Sequence, residues 1–157
     1  ERYHIPAFYD SYEAMVADPQ VEAVYISTPN NMHYENCKMC LNAGKHVLCE
    51  KPFTTNVKEG ERLSPRQRKE PVHHGAFWIR HLPALKKMQE LINGGVIGQV
   101  GFARCDFGFV AEGARKARKF DSGLGGGALL DVGIYNLGFC AWLWEINSRN
   151  MLHRSII

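Results

Sequence analysis

The chain has 157 residues, 45% apolar and 22% charged, which is the length of one ordinary domain with the composition of a soluble globular protein. Its net charge of +3, with no Lys/Arg run longer than two residues, argues against a nucleic-acid partner. Five cysteines (Cys37, Cys40, Cys49, Cys105 and Cys140) form no even framework and no secretory leader is visible, so reduced thiols in a cytoplasmic protein are expected.

Ala7-Phe8-Tyr9 reads as a short strand. Asp10 or Ser11 can cap a helix through Ala17, and Asp18-Pro19 ends it. Val21–Thr28 is an apolar, β-branched run of the fully buried type. Pro29-Asn30-Asn31 turns the chain into a helix that runs to Ala43 and stops at Gly44. Lys45–Cys49 is the next strand, and Asn56 opens another helix. Strands alternating with helices predict β-α-β units and a parallel sheet.

From Trp78 the pattern changes. Pro83–Asn93 is an amphipathic helix ended by Gly94-Gly95. Val100–Val110 alternates like a half-exposed strand of an antiparallel sheet. A basic loop, Arg115–Lys119, leads to a glycine-rich turn and the apolar run Ala128–Trp144. That run is shorter than the roughly 18 residues of a membrane span and carries Asp131 and Asn136, so a buried helix and no membrane are expected. These shifts predict two domains, 1–77 and 78–157.

Several motifs carry no chemistry on this reading. Cys37-Lys38-Met39-Cys40 lies inside a helical pattern with no second ligand pair, so these are ordinary helix cysteines. His73-His74 lacks partners at metal spacing, and no metal is expected. Gly123–Ala128 matches G-x-G-x-x-A, but charged and polar residues precede it where a dinucleotide fingerprint needs a buried strand. A turn before a helix is the better reading.

Thr28-Pro29-Asn30, with His33, ends the first buried strand, and Glu50-Lys51-Pro52 ends the second. Adjacent parallel strands bring both loops to the rim where open α/β sheets bind ligands. Taken alone, Glu-Lys-Pro is as compatible with surface charge before a turn. Asp131 and Tyr135 are four residues apart and share a helix face. A lysine ammonium favours a phenolate, so Lys51 can tune Tyr135 for proton transfer while Asp131 orients the pair. A hydrogen-bonded core tyrosine fits the spacing equally well.

Together, Val21–Pro52, Ala76–Pro83, Ile97–Phe109 and Gly125–Tyr135 resemble the oxidoreductase family of glucose-fructose oxidoreductase and inositol dehydrogenase. The resemblance is strongest to its NADP-dependent dihydrodiol and D-xylose dehydrogenases. It implies an α/β fold: a partial Rossmann-type parallel sheet, then part of an α+β domain with a mostly antiparallel sheet. It implies hydride transfer between NADP(H), with NAD the alternative, and a sugar or dihydrodiol hydroxyl. Lys51 matches the family's active-site lysine, and Asp131 and Tyr135 match the subgroup's substrate-side pair. Thr28, Pro29, Asn30, His33, Glu50, Lys51, Trp78 and Arg80 fall at cofactor-lining positions. A homodimer of the full-length parent is also implied. A non-catalytic nucleotide-binding regulator and an inactive fragment are the alternatives.

The family's opening strand, glycine-rich turn and second strand have no counterpart here, and little resembles the family after about Trp144, so a chain truncated at both ends is expected. Leu63–Gly75 departs as well, where the family carries a buried strand such as Phe-Ile-Met-Glu. A coding string for Lys-Asn-Pro-Phe-Ile-Met-Glu, read from its third base, yields Glu-Pro-Val-His-His-Gly, the residues of Glu70–Gly75. A compensated frameshift is therefore expected, with loss of the strand before Ala76. Transcript sequencing across this stretch checks it: an mRNA that encodes the family-like strand without interruption would show that the gene carries no shift.

Overall fold

Local signals place most helix ends. The Ser11 hydroxyl accepts a hydrogen bond from Ala14 N at 3.1 Å, and this cap opens helix α1, Tyr12–Ala17. Asn56 Oδ1 accepts from Glu59 N at 3.0 Å and opens α3, Val57–Leu63. Between them lie strand β1, Ala23–Ile26, helix α2, His33–Asn42, and strand β2, His46–Cys49. Strand β3 is His73–Gly75. Helix α4, Pro83–Asn93, starts on its proline and ends at Gly94, as the sequence predicts.

The computed structural model describes residues 3, 5–63, 71–113 and 115–154. They divide into two compact units, Glu1–Ala76 with Ser122–Gly125, and Phe77–Asp121 with Gly126–Ile157.

In the first unit the three strands form a parallel sheet in the order β1-β2-β3. The register pairs Ile26 with Cys49 and Cys49 with Gly75. Part of Leu63–Gly75, residues 64–70, lies outside the described residues. The strand expected to be lost is nonetheless present: His73–Gly75 pairs with β2, and His73 stacks on Phe53 with ring centroids 5.2 Å apart. Backbone pairing needs only an extended segment at the right place, and His-His-Gly supplies one.

Val16, Ile26, Cys37, Leu41, Val47, Cys49 and Leu63 share the core of this unit. Both cysteines of the C-x-x-C segment are buried there. The Cys49 thiol is held well above its ordinary value, first by its hydrogen bond with the Cys37 thiol and then by burial. The first buried strand is not buried on both faces. Ile26 points into the core while Tyr25 and Leu48 remain 56% and 43% exposed, because the described helices α1–α3 cover one face only. Ala7–Tyr9 forms no strand, since no strand among the described residues pairs with it.

The second unit departs further from expectation. Val100–Val110 has no regular secondary structure and joins no sheet among the described residues. Alternation marks a surface suited to a strand, yet a strand forms only against a partner. Arg115–Phe120 is a short helix, α5, rather than a loop. The apolar run opens with a wide π-helical turn, Leu129–Gly133, and continues as α6, Ile134–Arg154. It is not a buried helix: Leu143 is buried with Ile92, but Leu129, Leu137 and Trp144 are 60% or more exposed. With Ser122 and the turn included, Ser122–Glu145 is long and apolar enough to cross a membrane by length and composition.

Candidate functional site

Parallel pairing sets the carboxyl ends of β1 and β2 side by side, and Glu50 N donates to Ile26 O at 2.9 Å just beyond them. The loops that follow are joined by His33, which is 1% exposed. Its Nδ1 lies 2.7 Å from Pro52 O and its Nε2 2.9 Å from Thr28 O. One imidazole thus ties the Thr28-Pro29-Asn30 loop to the Glu50-Lys51-Pro52 loop. Asn36 Nδ2 donates to Thr28 Oγ1 at 3.0 Å. The peptide between Lys51 and Pro52 is cis.

The glycine-rich turn serves this rim. Asn30 Nδ2 donates to Gly125 O at 2.8 Å and Asn31 Nδ2 to Gly123 O at 2.9 Å. Gly125 has φ +73°, and a Cβ there would lie 2.9 Å from Asn30 Cβ, so only glycine fits without strain. The segment follows helix α5, not a strand, as expected of a turn that is not a dinucleotide fingerprint.

Glu50 is held from two sides. The Tyr25 hydroxyl donates to Oε1, and Lys51 N donates to Oε2 at 3.2 Å. The bond to Glu50 raises Tyr25 above its ordinary 10.0, with desolvation and the carboxylate charge adding to it. A group raised in the folded state contributes stability below its unfolded value and loses it as pH rises through the folded one. Tyr25→Phe is therefore expected to lower the urea midpoint slightly at neutral pH and to match the parent in strongly alkaline buffer. The effect is small because solvent screens the pair; the same gap at both pH values would discount the bond.

In the second unit Tyr135 sits in an aromatic nest. Trp78 Nε1 donates to Tyr135 Oη at 2.9 Å. Phe77 stacks on the phenol at 5.6 Å, and Phe107 meets it edge-on at 5.3 Å. The Arg80 guanidinium lies 6.0 Å over Phe77. Gly138 lets Phe77 approach α6 so closely that any Cβ there would overlap the ring.

Asp131 lies in the wide turn before α6 and pairs with Lys119, Oδ2 to Nζ, at 2.8 Å. Lys119 also lies 3.8 Å over the Phe109 ring. Beside this pair opens a cavity of about 330 Å³. Among the described residues, no group of three or more His, Cys, Asp or Glu is placed to hold a metal ion.

The sequence profile described as "Oxidoreductase family, NAD-binding Rossmann fold" matches residues 1–75, and that of the GFO/IDH/MocA C-terminal domain matches residues 85–150. The chain belongs to the Gfo/Idh/MocA oxidoreductase family. A trans-1,2-dihydrobenzene-1,2-diol dehydrogenase of Mus musculus is 37% identical over 145 residues, covering 92% of this chain and 43% of the mouse protein. An NADP-dependent D-xylose 1-dehydrogenase of Hypocrea jecorina is 37% identical over 146 residues, covering 87% of this chain and 37% of the fungal protein. The crystal structure of an NAD-binding protein from Listeria innocua superposes with a TM-score of 0.64 at 28% identity, covering 82% of this chain and 37% of the other. The chain thus spans less than half the length of the relatives it matches.

In this Gfo/Idh/MocA chain the sequence-predicted residues gather into two groups. Thr28, Pro29, Asn30, His33, Glu50 and Lys51 share the rim of the first unit, and Trp78, Arg80, Asp131 and Tyr135 belong to the second. Asp131 is paired with Lys119, which the sequence marks only as part of a basic segment. Nor does sequence reasoning single out Phe107 and Phe109 as site residues. Their i, i+2 spacing in Val100–Val110 is the available signal, since it puts both on one side of an extended chain.

Proposed function

We propose that this chain carries the nicotinamide-side and substrate-side residues of an oxidoreductase that moves hydride between NADP(H) and a hydroxyl of a sugar or dihydrodiol. The observation that carries the reading is the Trp78–Tyr135 hydrogen bond. An indole N–H donates only, so it stabilises negative charge developing on the phenol oxygen. That suits a tyrosine that takes a proton from a substrate hydroxyl.

The cofactor, when bound, accepts or donates the hydride. The rim of the first unit fits its requirements, because loops at the carboxyl ends of parallel strands are where open α/β sheets take ligands. Thr28, Pro29, Asn30, His33, Glu50 and Lys51 would hold it there. In this chemistry Lys51 favours the Tyr135 phenolate and Asp131 faces the substrate. The names of the relatives support NADP and a small hydroxylated substrate.

The test mixes the purified chain with NADP⁺ and either trans-1,2-dihydrobenzene-1,2-diol or D-xylose and follows nicotinamide absorbance. Substrate-dependent NADPH formation is expected. No reduction with either substrate, together with no change in NADPH fluorescence on adding protein, would sink the reading.

A further inference from the structure

One short piece of chain is gripped by the first unit without taking any part in its sheet. Ser122–Gly125 belongs to this unit, although the residues on either side of it in sequence do not. Gly125 N donates to Ser122 O at 3.1 Å, which closes a turn and leaves the Gly123 and Gly125 carbonyls for partners outside it. Asn31 Nδ2 donates to the first at 2.9 Å and Asn30 Nδ2 to the second at 2.8 Å. The fit is close: a Cβ at Gly125 would lie 2.9 Å from Asn30 Cβ, 3.3 Å from Asn31 N and 3.4 Å from Thr55 Cγ2. The turn therefore rests on the loop after β1 and on the loop after β2 at once. Thr55 is itself held, because its N–H and its hydroxyl both donate to Glu59 Oε2, at 3.2 and 3.0 Å.

The loop after β1 needs such a hold. Its base is fixed at Thr28, whose carbonyl faces His33 Nε2 and whose hydroxyl accepts from Asn36. Beyond that base, Asn30–Met32 is a single 3₁₀ turn closed by Met32 N donating to Pro29 O at 2.9 Å, and so short a turn has little order of its own. A loop that is ordered before its ligand arrives removes the ordering cost from binding. We propose that Asn31 is a positioning residue for the dinucleotide: with Asn30 it anchors the tip of this loop on the Gly123–Gly125 turn and holds it in the arrangement that receives the cofactor. Asn31 is exposed and need not touch the cofactor to do this. The glycine turn that fails as a dinucleotide fingerprint then acts on the dinucleotide indirectly, as a backbone template for two side-chain amides. The inference rests on the reading of this rim as the nicotinamide side.

The experiment compares the whole chain with Asn31→Ala, Gly125→Ala and the double variant. NADPH affinity is read by fluorescence titration, the urea midpoint by unfolding, and hydrogen exchange of the Met32 amide by NMR without cofactor. Asn31→Ala is expected to weaken NADPH binding about three- to tenfold, the worth of one neutral hydrogen bond, and to speed Met32 exchange. Its midpoint should stay near the parent's, since water replaces the lost partner of an exposed amide. A merely structural asparagine would do the reverse, moving the midpoint and leaving the affinity. Gly125→Ala disrupts the same contact from the other side, and the double variant should bind NADPH little worse than either single one. If Gly125→Ala does not fold, Asn31→Ala carries the test alone. A parent that binds NADPH and an Asn31→Ala chain that binds it equally well, or keeps Met32 exchange unchanged, would overturn this inference and leave the nucleotide reading intact. A parent that binds no NADPH overturns both. The expected loss of affinity in a chain that transfers no hydride supports this inference and refutes only the hydride-transfer reading.

Discussion

Replacing Tyr135 by phenylalanine is expected to lower kcat for NADP-linked oxidation by about 10²–10⁴-fold, the ordinary contribution of a positioned acid–base group. The change removes one oxygen and little else. The ring keeps its stacking on Phe77 and its edge contact with Phe107. The indole loses an acceptor, but Trp78 is 52% exposed, so water can replace it and stability should barely move. KM is expected to stay close to the parent value, because the lost interaction strengthens mainly as charge develops on the oxygen. On the proposed mechanism Lys51→Ala should cause a loss of similar size. The double variant should be little worse than either single one, since groups that act as a unit give non-additive losses. Steady-state kinetics on the three variants checks this; a Tyr135→Phe chain that retains its kcat would remove the phenol from the mechanism.

His33→Ala is expected to destabilise the protein by about 2–4 kcal/mol, the sum of a buried cavity and unpaired carbonyl groups. The side chain is 1% exposed and its two nitrogens face Thr28 O and Pro52 O. Truncation empties a packed site and leaves both carbonyls without that partner. It also frees the Lys51 loop from the loop after β1, so hydride transfer should fall together with stability. His33→Phe separates the two effects: it restores most of the volume but no ring N–H donor, and should recover only part of the loss. Urea unfolding of the parent and both variants measures this. Equal midpoints for the parent and His33→Phe would mean that packing, and not the clamp, is what His33 supplies.

Much of the first unit is legible in the amino-acid sequence. Ser11 as a cap, the breaks at Asp18-Pro19 and Gly44, and the two apolar strands each rest on local preferences, which act within a few residues. The same holds for helix α4, whose proline start and Gly-Gly end are both written in the chain. Lys51 and Glu50 can be placed at a strand's carboxyl end for the same reason. The residues that carry the family resemblance are readable too, and comparison with known proteins agrees.

The features that local pattern does not reveal depend on partners distant in the chain. Val100–Val110 has a strand's alternation but joins no sheet among the described residues, because a ladder needs a second backbone that local pattern does not announce. The apolar run before Trp144 reads as buried, yet its exposure is set by what packs on it. Asp131 is expected to orient the Lys51/Tyr135 pair, and its ion pair with Lys119, twelve positions earlier, is a contact that local pattern does not announce. The glycine turn that fails as a dinucleotide motif receives Asn30 and Asn31, 95 and 92 positions earlier. By itself the sequence determined helix ends, strand periodicity, the family and the candidate reactive groups, all of which follow from short-range dihedral preference and residue chemistry. Tertiary structure alone decided which carboxylate meets which ammonium, which histidine is buried between two carbonyls and which extended segment finds a sheet, because those pairings are long-range and depend on how the whole chain packs.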